Sequence, residues 1–145
     1  MKHNKIIQQL SKNKTVFESL LSNRNEAEVK WKPFEDQWCM LEVVCHLVDE
    51  EKEDFRARVE YVLRDPDEQL PMFDPQKWVT ERDYIGQDFE TKLTEFLDER
   101  TYSVNWLKSL KDSNWQNTYH HPKLGPMTAE LFLANWLAHD HIHIR

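Results

Sequence analysis

Glycine is almost absent from this sequence: Gly86 and Gly125 are the only glycines among 145 residues. A β-rich fold of this length needs more of them, because hairpin turns use backbone conformations that glycine adopts most readily. Charged residues make up 31% of the chain and hydrophobic residues 39%, which is typical of a folded globular domain. The sequence therefore predicts one domain over residues 1–145, built mainly from long helices.

Apolar residues recur at helical spacing in four segments, at residues 4–23, about 40–64, 83–111, and 129 to the end of the sequence. A polar stretch with Pro33, a three-proline stretch over 65–80, and "DSNWQNTYHHPKLGP" separate them. Thr128 stands directly before the last segment and suits a helix N-cap. This pattern predicts an all-α four-helix bundle whose long second and third connections allow an order other than simple up-down.

The charge distribution excludes two classes of partner. The net charge is −7, and no basic cluster of the kind that binds nucleic acid or anionic membranes is present. No apolar run approaches the roughly 20 residues that span a bilayer, and the first residues lack the apolar core of a signal peptide. We expect a cytoplasmic protein without nucleic-acid or membrane partners, in which Cys39 and Cys45 stay reduced.

The last residues, "AHDHIHIR", alternate histidine with other residues. At helical pitch, His139 and His143 share one face with Phe132 and Trp136, whereas His141 points away. A histidine pair at positions i and i+4 can place both imidazoles on one metal ion.

A third histidine, His46, lies in the apolar stretch "LEVVCHLV" at the edge of the buried face of the second predicted helix. Helix bundles build metal sites from side chains on facing helices, and three neutral imidazoles leave coordination positions open for a substrate. Such a set suits Zn²⁺ or Ni²⁺. Further candidates are Glu42 and Glu50 as orienting groups or a fourth ligand, Trp136 as a wall of the site, and His121 as a contact or a turn residue.

Three interpretations stay open from these residues. The histidines fit a catalytic metal site, a structural metal site, or unrelated residues of a bundle that acts through protein contacts and an aromatic dimer face. A histidine pair near a terminus is often a solvated helix end, and a lone core histidine is often merely hydrogen-bonded. Neither of these simpler explanations accounts for two separate helices that both place histidines on the core side.

From about Trp31 onward the sequence resembles the DinB-like superfamily, in particular its YfiT-like branch of metal-dependent hydrolases. The resemblance lies in "WKPFEDQWCMLEVVCHLVDEE", "MFDPQKW", "HPKLGPMTAELF" and "LAHDHIH". It implies a four-helix bundle, a mononuclear Zn or Ni site at His46, His139 and His143, and a homodimer. It further implies a small-molecule hydrolase or S-transferase that uses a low-molecular-weight thiol.

The sequence differs from its relatives in the length of the last helix. Relatives continue the final helix past the second histidine, whereas this sequence ends two residues after His143. We therefore expect a truncated last helix whose final turn frays, because that turn lacks continuing backbone hydrogen bonds.

Overall fold

The computed structural model describes residues 2–145. In chain order its elements are α1 (Lys2–Leu21), α2 (Glu26–Lys30), α3 (Met40–Asp49), a π-helical segment (Glu50–Phe55), α4 (Arg56–Arg64), α5 (Pro75–Glu81), a 3₁₀ turn (Tyr84–Gly86), α6 (Phe89–Ser109), β1 (Thr118–His121), β2 (Gly125–Thr128) and α7 (Ala129–Ile144). None of the helices among these residues is both long and apolar enough to cross a membrane.

Four long helical runs form the predicted bundle: α1, the continuous run from α3 through the π segment to α4, α6, and α7. The helix α1 packs mainly against α6 and α7, while α3 packs against α6 and α4 against α7. The first two runs therefore occupy diagonal positions rather than neighbouring ones. The prediction of a four-helix bundle is confirmed, and its order is not the simple up-down order.

The third connection contains a small antiparallel β-hairpin that the sequence prediction missed. β1 pairs with β2, with Tyr119 opposite Met127 and His121 opposite Gly125. Both Tyr119 and Met127 are buried in the core. Gly125 has a φ of 77°, a left-handed conformation that closes short hairpin loops at little steric cost. The strands were not predicted because each has only four residues and Pro126 interrupts the pattern of β2.

Two short helices lie in stretches that were predicted to be connections between the long helices. A reciprocal capping box between Asn25 and Glu28 begins α2, and α5 begins at Pro75, where a missing backbone N–H has no cost. The helix α6 begins at Phe89, later than the predicted start at Asp83. Asp83 instead has a left-handed φ of 46°, and the Asp88 side chain caps α6 by accepting a hydrogen bond from Thr91 N–H.

The second helical run also differs from the predicted unbroken α-helix. Its middle turn, Glu50–Phe55, is π-helical, and the Arg56 N–H donates to the Glu51 carbonyl. Such turns occur frequently at functional sites. Here the turn begins shortly after His46, and both Glu50 and Glu51 are buried in it.

The apolar core is divided into two clusters by a layer of buried polar side chains. In α1, Leu10 belongs to one cluster and Phe17 to the other. In α6, Val104 and Phe96 are divided in the same way. The polar side chains that lie between the clusters are Asn13, Glu51, Arg100, Ser103 and Asp140.

Candidate metal centre

The fold brings His46, His139 and His143 together. α3 contributes His46, and α7 contributes the other two from its last turns. Nε2 of His139 lies 3.0 Å from Nε2 of His46 and 3.2 Å from Nε2 of His143. The three candidate ligand atoms all lie within 4.8 Å of one another, and no carboxylate or thiol joins them in the described part of the chain.

Hydrogen bonding alone cannot satisfy this arrangement. A neutral imidazole nitrogen offers either one N–H or one lone pair. Nε2 of His139 faces two other Nε2 atoms, so in either tautomer it can form one linear hydrogen bond at most. A cation that accepts all three lone pairs satisfies them together. In a tetrahedral zinc site with bonds of about 2.0–2.1 Å, ligand nitrogens lie roughly 3.3 Å apart, close to the separations of 3.0 and 3.2 Å between His139 and the other two histidines. The donor set therefore fits a transition metal.

The electrostatic environment keeps these imidazoles neutral, which is the form that binds metals. Burial, together with the neighbouring histidines, lowers the pKa of His46 to about 3. Burial and His143 lower the pKa of His139 to about 3 as well. Burial also lowers the pKa of His143. At neutral pH all three lone pairs are available.

Two aromatic rings pack against the histidines. The Trp38 ring centroid lies 4.9 Å from that of His46, and the Phe55 ring centroid lies 4.8 Å from that of His139. Trp136, the wall predicted from the sequence, lies behind Phe55 and stacks on it at 6.1 Å. Trp38 and Phe55 are therefore the walls that sequence reasoning missed. Packing also orients His46, because its buried Nδ1 has no hydrogen-bond partner among the described residues.

The two acidic candidates next to His46 have different environments. Glu42 accepts a hydrogen bond from the Cys39 N–H at 3.1 Å and pairs with Lys32 at 2.6 Å, so it caps α3. Glu50 is buried, and its Oε1 has no hydrogen-bond partner within residues 2–145. Burial and the adjacent Asp54 raise the pKa of Glu50 to about 8. Glu50 therefore holds a proton at neutral pH, whereas the carboxylate of Glu42 is occupied elsewhere.

His121 has the turn role that was one of its two predicted roles. Its Nδ1 accepts hydrogen bonds from the backbone N–H groups of Lys123 and Leu124, both at 3.1 Å, and this closes the hairpin. It also borders a cleft of about 400 Å³ between the hairpin and residues 69–73 of the long second connection. The residues that line this cleft include Arg58 and Phe73 but none of the three clustered histidines.

Sequence reasoning missed a buried polar cluster next to the histidines. Arg100, on α6, forms ion pairs with Glu51 and Asp140, and all three side chains are almost completely buried. The visible signal was a charged residue on an apolar stripe. Arg100 falls between Phe96 and Val104, and Asp140 continues the Leu133–Trp136 spacing.

Comparisons with known proteins agree with this fold. The model of the DinB superfamily matches residues 9–145. A solved structure from Bacillus subtilis, YfiT, has a TM-score of 0.84 at 20% sequence identity, over 98% of this chain and 81% of that one. That protein is described as a probable metal-dependent hydrolase with an unusual four-helix bundle topology. No curated protein matches the sequence significantly. Because the family model covers most of the sequence, this chain belongs to the DinB superfamily.

Proposed function

We propose that this protein is a metal-dependent enzyme that acts on small molecules, with His46, His139 and His143 as the ligands of one Zn²⁺ or Ni²⁺ ion. The observation that carries the proposal is the convergence of three neutral Nε2 atoms from two helices, one on the buried His46 and two on the half-buried His139 and His143. The resemblance to a probable metal-dependent hydrolase supports the same chemistry. The reaction class is hydrolysis or the transfer of a low-molecular-weight thiol.

The protein supplies the three ligands and a partly dry environment. A divalent metal held there supplies a Lewis acid, which lowers the pKa of a water or a thiol toward neutrality. Three imidazoles leave coordination positions free for a reactant. Trp38 and Phe55 shield the histidines from solvent on two sides.

The proposal also includes a homodimer and a cytoplasmic location. Exposed aromatic side chains such as Trp31 and Phe34 favour a homodimer with an apolar face. Cys39 and Cys45 are buried and free, which fits a cytoplasmic protein.

The main alternative is a structural metal, because the same three histidines join the second helical run to the end of α7.

A screen of small electrophiles and esters with several low-molecular-weight thiols tests the proposal. The metal-loaded protein should turn over at least one combination, and the chelator-treated protein and His46→Ala should not. His141→Ala is the matched control, because His141 is exposed on the same helix and should leave the rate unchanged. Equal rates for wild type and His46→Ala would overturn the proposal. No turnover, together with unfolding of His46→Ala, would favour the structural role.

A further inference from the structure

One arginine joins the two helical runs that carry the histidines. Arg100 Nε and Nη2 donate to the two carboxylate oxygens of Glu51 at 2.8 and 2.9 Å. Its Nη1 and Nη2 donate to the two oxygens of Asp140, both at 2.7 Å. Nη1 also donates to the Leu10 carbonyl at 3.2 Å. All five guanidinium N–H groups are therefore used, in two bidentate ion pairs.

Both carboxylates belong to the segments that carry the histidines. Glu51 lies in the π-helical turn that follows His46, and Asp140 directly follows His139. A shift or rotation of either run would break a bidentate pair between side chains that are almost completely buried. Since such pairs are directional, they fix how the two runs are placed relative to each other.

Two more side chains hold the carboxylates from behind. The indole N–H of Trp136 donates to Glu51 Oε2 at 2.9 Å, and the Asn13 side-chain amide donates to Asp140 Oδ2 at 2.9 Å. Each carboxylate thus has a neutral donor in addition to the arginine. The carboxylates are oriented from three helical runs.

The cluster is not electrically balanced. It contains two carboxylates and one guanidinium, so it carries one excess negative charge in the interior of the protein. A buried charge without compensation is costly. The adjacent three-histidine set has no charge of its own when its imidazoles are neutral, and a bound dication there would supply the missing positive charge.

We propose that Glu51, Arg100 and Asp140 are positioning residues of the metal site. Their ion pairs hold the second helical run and α7 at the separation that the imidazoles need, and their excess negative charge strengthens binding of the dication. This inference rests on the metal-binding function proposed above.

Two charge-removing variants test it from opposite helical runs. Glu51→Gln and Asp140→Asn each remove one negative charge and nearly preserve the side-chain shape. Both should weaken Zn²⁺ affinity by about tenfold or more, as changes behind metal ligands do, and both should shift the absorption spectrum of bound Co²⁺. Glu130→Gln is the matched control, because it makes the same charge change in the first turn of α7, away from the cluster. Affinity is measured by competition with a chromophoric chelator, and folding by circular dichroism.

The outcomes separate this inference from the proposed function. A wild-type protein that binds neither Zn²⁺ nor Co²⁺ would contradict both. A wild-type protein that binds them, with Glu51→Gln and Asp140→Asn equal to Glu130→Gln in affinity and spectrum, would overturn the positioning role alone. Failure of both variants to fold in saturating Zn²⁺ would also overturn the positioning role, because the cluster would then be required for folding and not specifically for metal binding.

Discussion

At the scale of single residues, the histidine set is the feature that helical periodicity predicted best. The i, i+4 spacing places His139 and His143 on one face and turns His141 away, and the structure leaves His141 exposed. We predict that His46→Ala, His139→Ala and His143→Ala each abolish tight Zn²⁺ binding, whereas His141→Ala does not. Isothermal titration measures this, and equal affinity of His141→Ala and His143→Ala would contradict it.

The depressed pKa values of the histidines predict how stability depends on pH. His46 and His139 have a pKa of about 3 in the folded chain, against 6.5 for an unperturbed histidine. Between these values the unfolded chain binds more protons, so the free energy of unfolding falls as the pH decreases from about 6.5 toward 3. Each histidine contributes up to about 1.4 kcal/mol per pH unit. Urea unfolding of the metal-free protein measures the slope. The slope of the free energy of unfolding against pH should be shallower in His46→Ala. An unchanged slope would contradict a His46 that is buried and neutral in the folded protein.

Glu50 affects the pH dependence of stability in the opposite direction, because it lowers the free energy of unfolding as the pH rises. Its folded pKa of about 8 lies above the ordinary value of 4.5, so its contribution to stability is lost as the pH rises through 8. Below about pH 6.5 the loss of stability caused by the histidines on acidification is larger than the gain from the single carboxyl of Glu50. The free energy of unfolding of the metal-free protein should therefore be greatest near pH 6.5. Glu50→Gln should flatten the alkaline decline and leave the acid decline in place. A decline of the same size in Glu50→Gln would show that another group causes it.

At the scale of helices and strands, the long periodic segments were predictable and the short ones were not. The four helical runs follow from apolar spacing over many residues, which local details do not disturb. The π turn at Glu50–Phe55 has no such signature in the sequence, and its Glu51 pairs with Arg100, which lies 49 residues further along the chain. The β-hairpin depends on two four-residue strands and on Gly125, and tertiary packing of Tyr119 decides it.

The N-cap of α7 is a local feature that the sequence did predict. The Thr128 hydroxyl accepts a hydrogen bond from the Leu131 N–H at 3.1 Å. Thr128→Ala should lower the free energy of unfolding by about 1 kcal/mol, because a helix donor loses its partner. The exposed Thr101→Ala on α6 is the control and should change it by less than about 0.5 kcal/mol. Urea unfolding with both variants equal would refute the capping role.

At the scale of the whole molecule, the structure depends on a polar layer between two apolar clusters. Arg100→Met would leave Glu51 and Asp140 buried without their common partner. We expect a loss of about 3–5 kcal/mol in the free energy of unfolding. Lys52→Met, which removes a partly exposed pair with Glu95, should cost less than about 1 kcal/mol. Chemical denaturation compares the two, and equal costs would contradict a structural role for this layer.

The candidate site could be predicted only in part, because some of its contacts join segments that are far apart in the sequence. His46, His139 and His143 lie on core-facing stripes with recognisable spacing, so helix geometry alone suggests that they meet. Arg100 and Asp140 also lie on such stripes, but their partners come from distant segments. A charged residue on an apolar stripe signals a buried pair without identifying the partner.

Elemental analysis of untagged protein tests most directly whether the three histidines hold one metal ion. The protein should retain, or take up from added Zn²⁺ or Ni²⁺, about one equivalent of metal per chain, and His46→Ala should not. Less than about a tenth of an equivalent, not restored by either metal, would contradict the account.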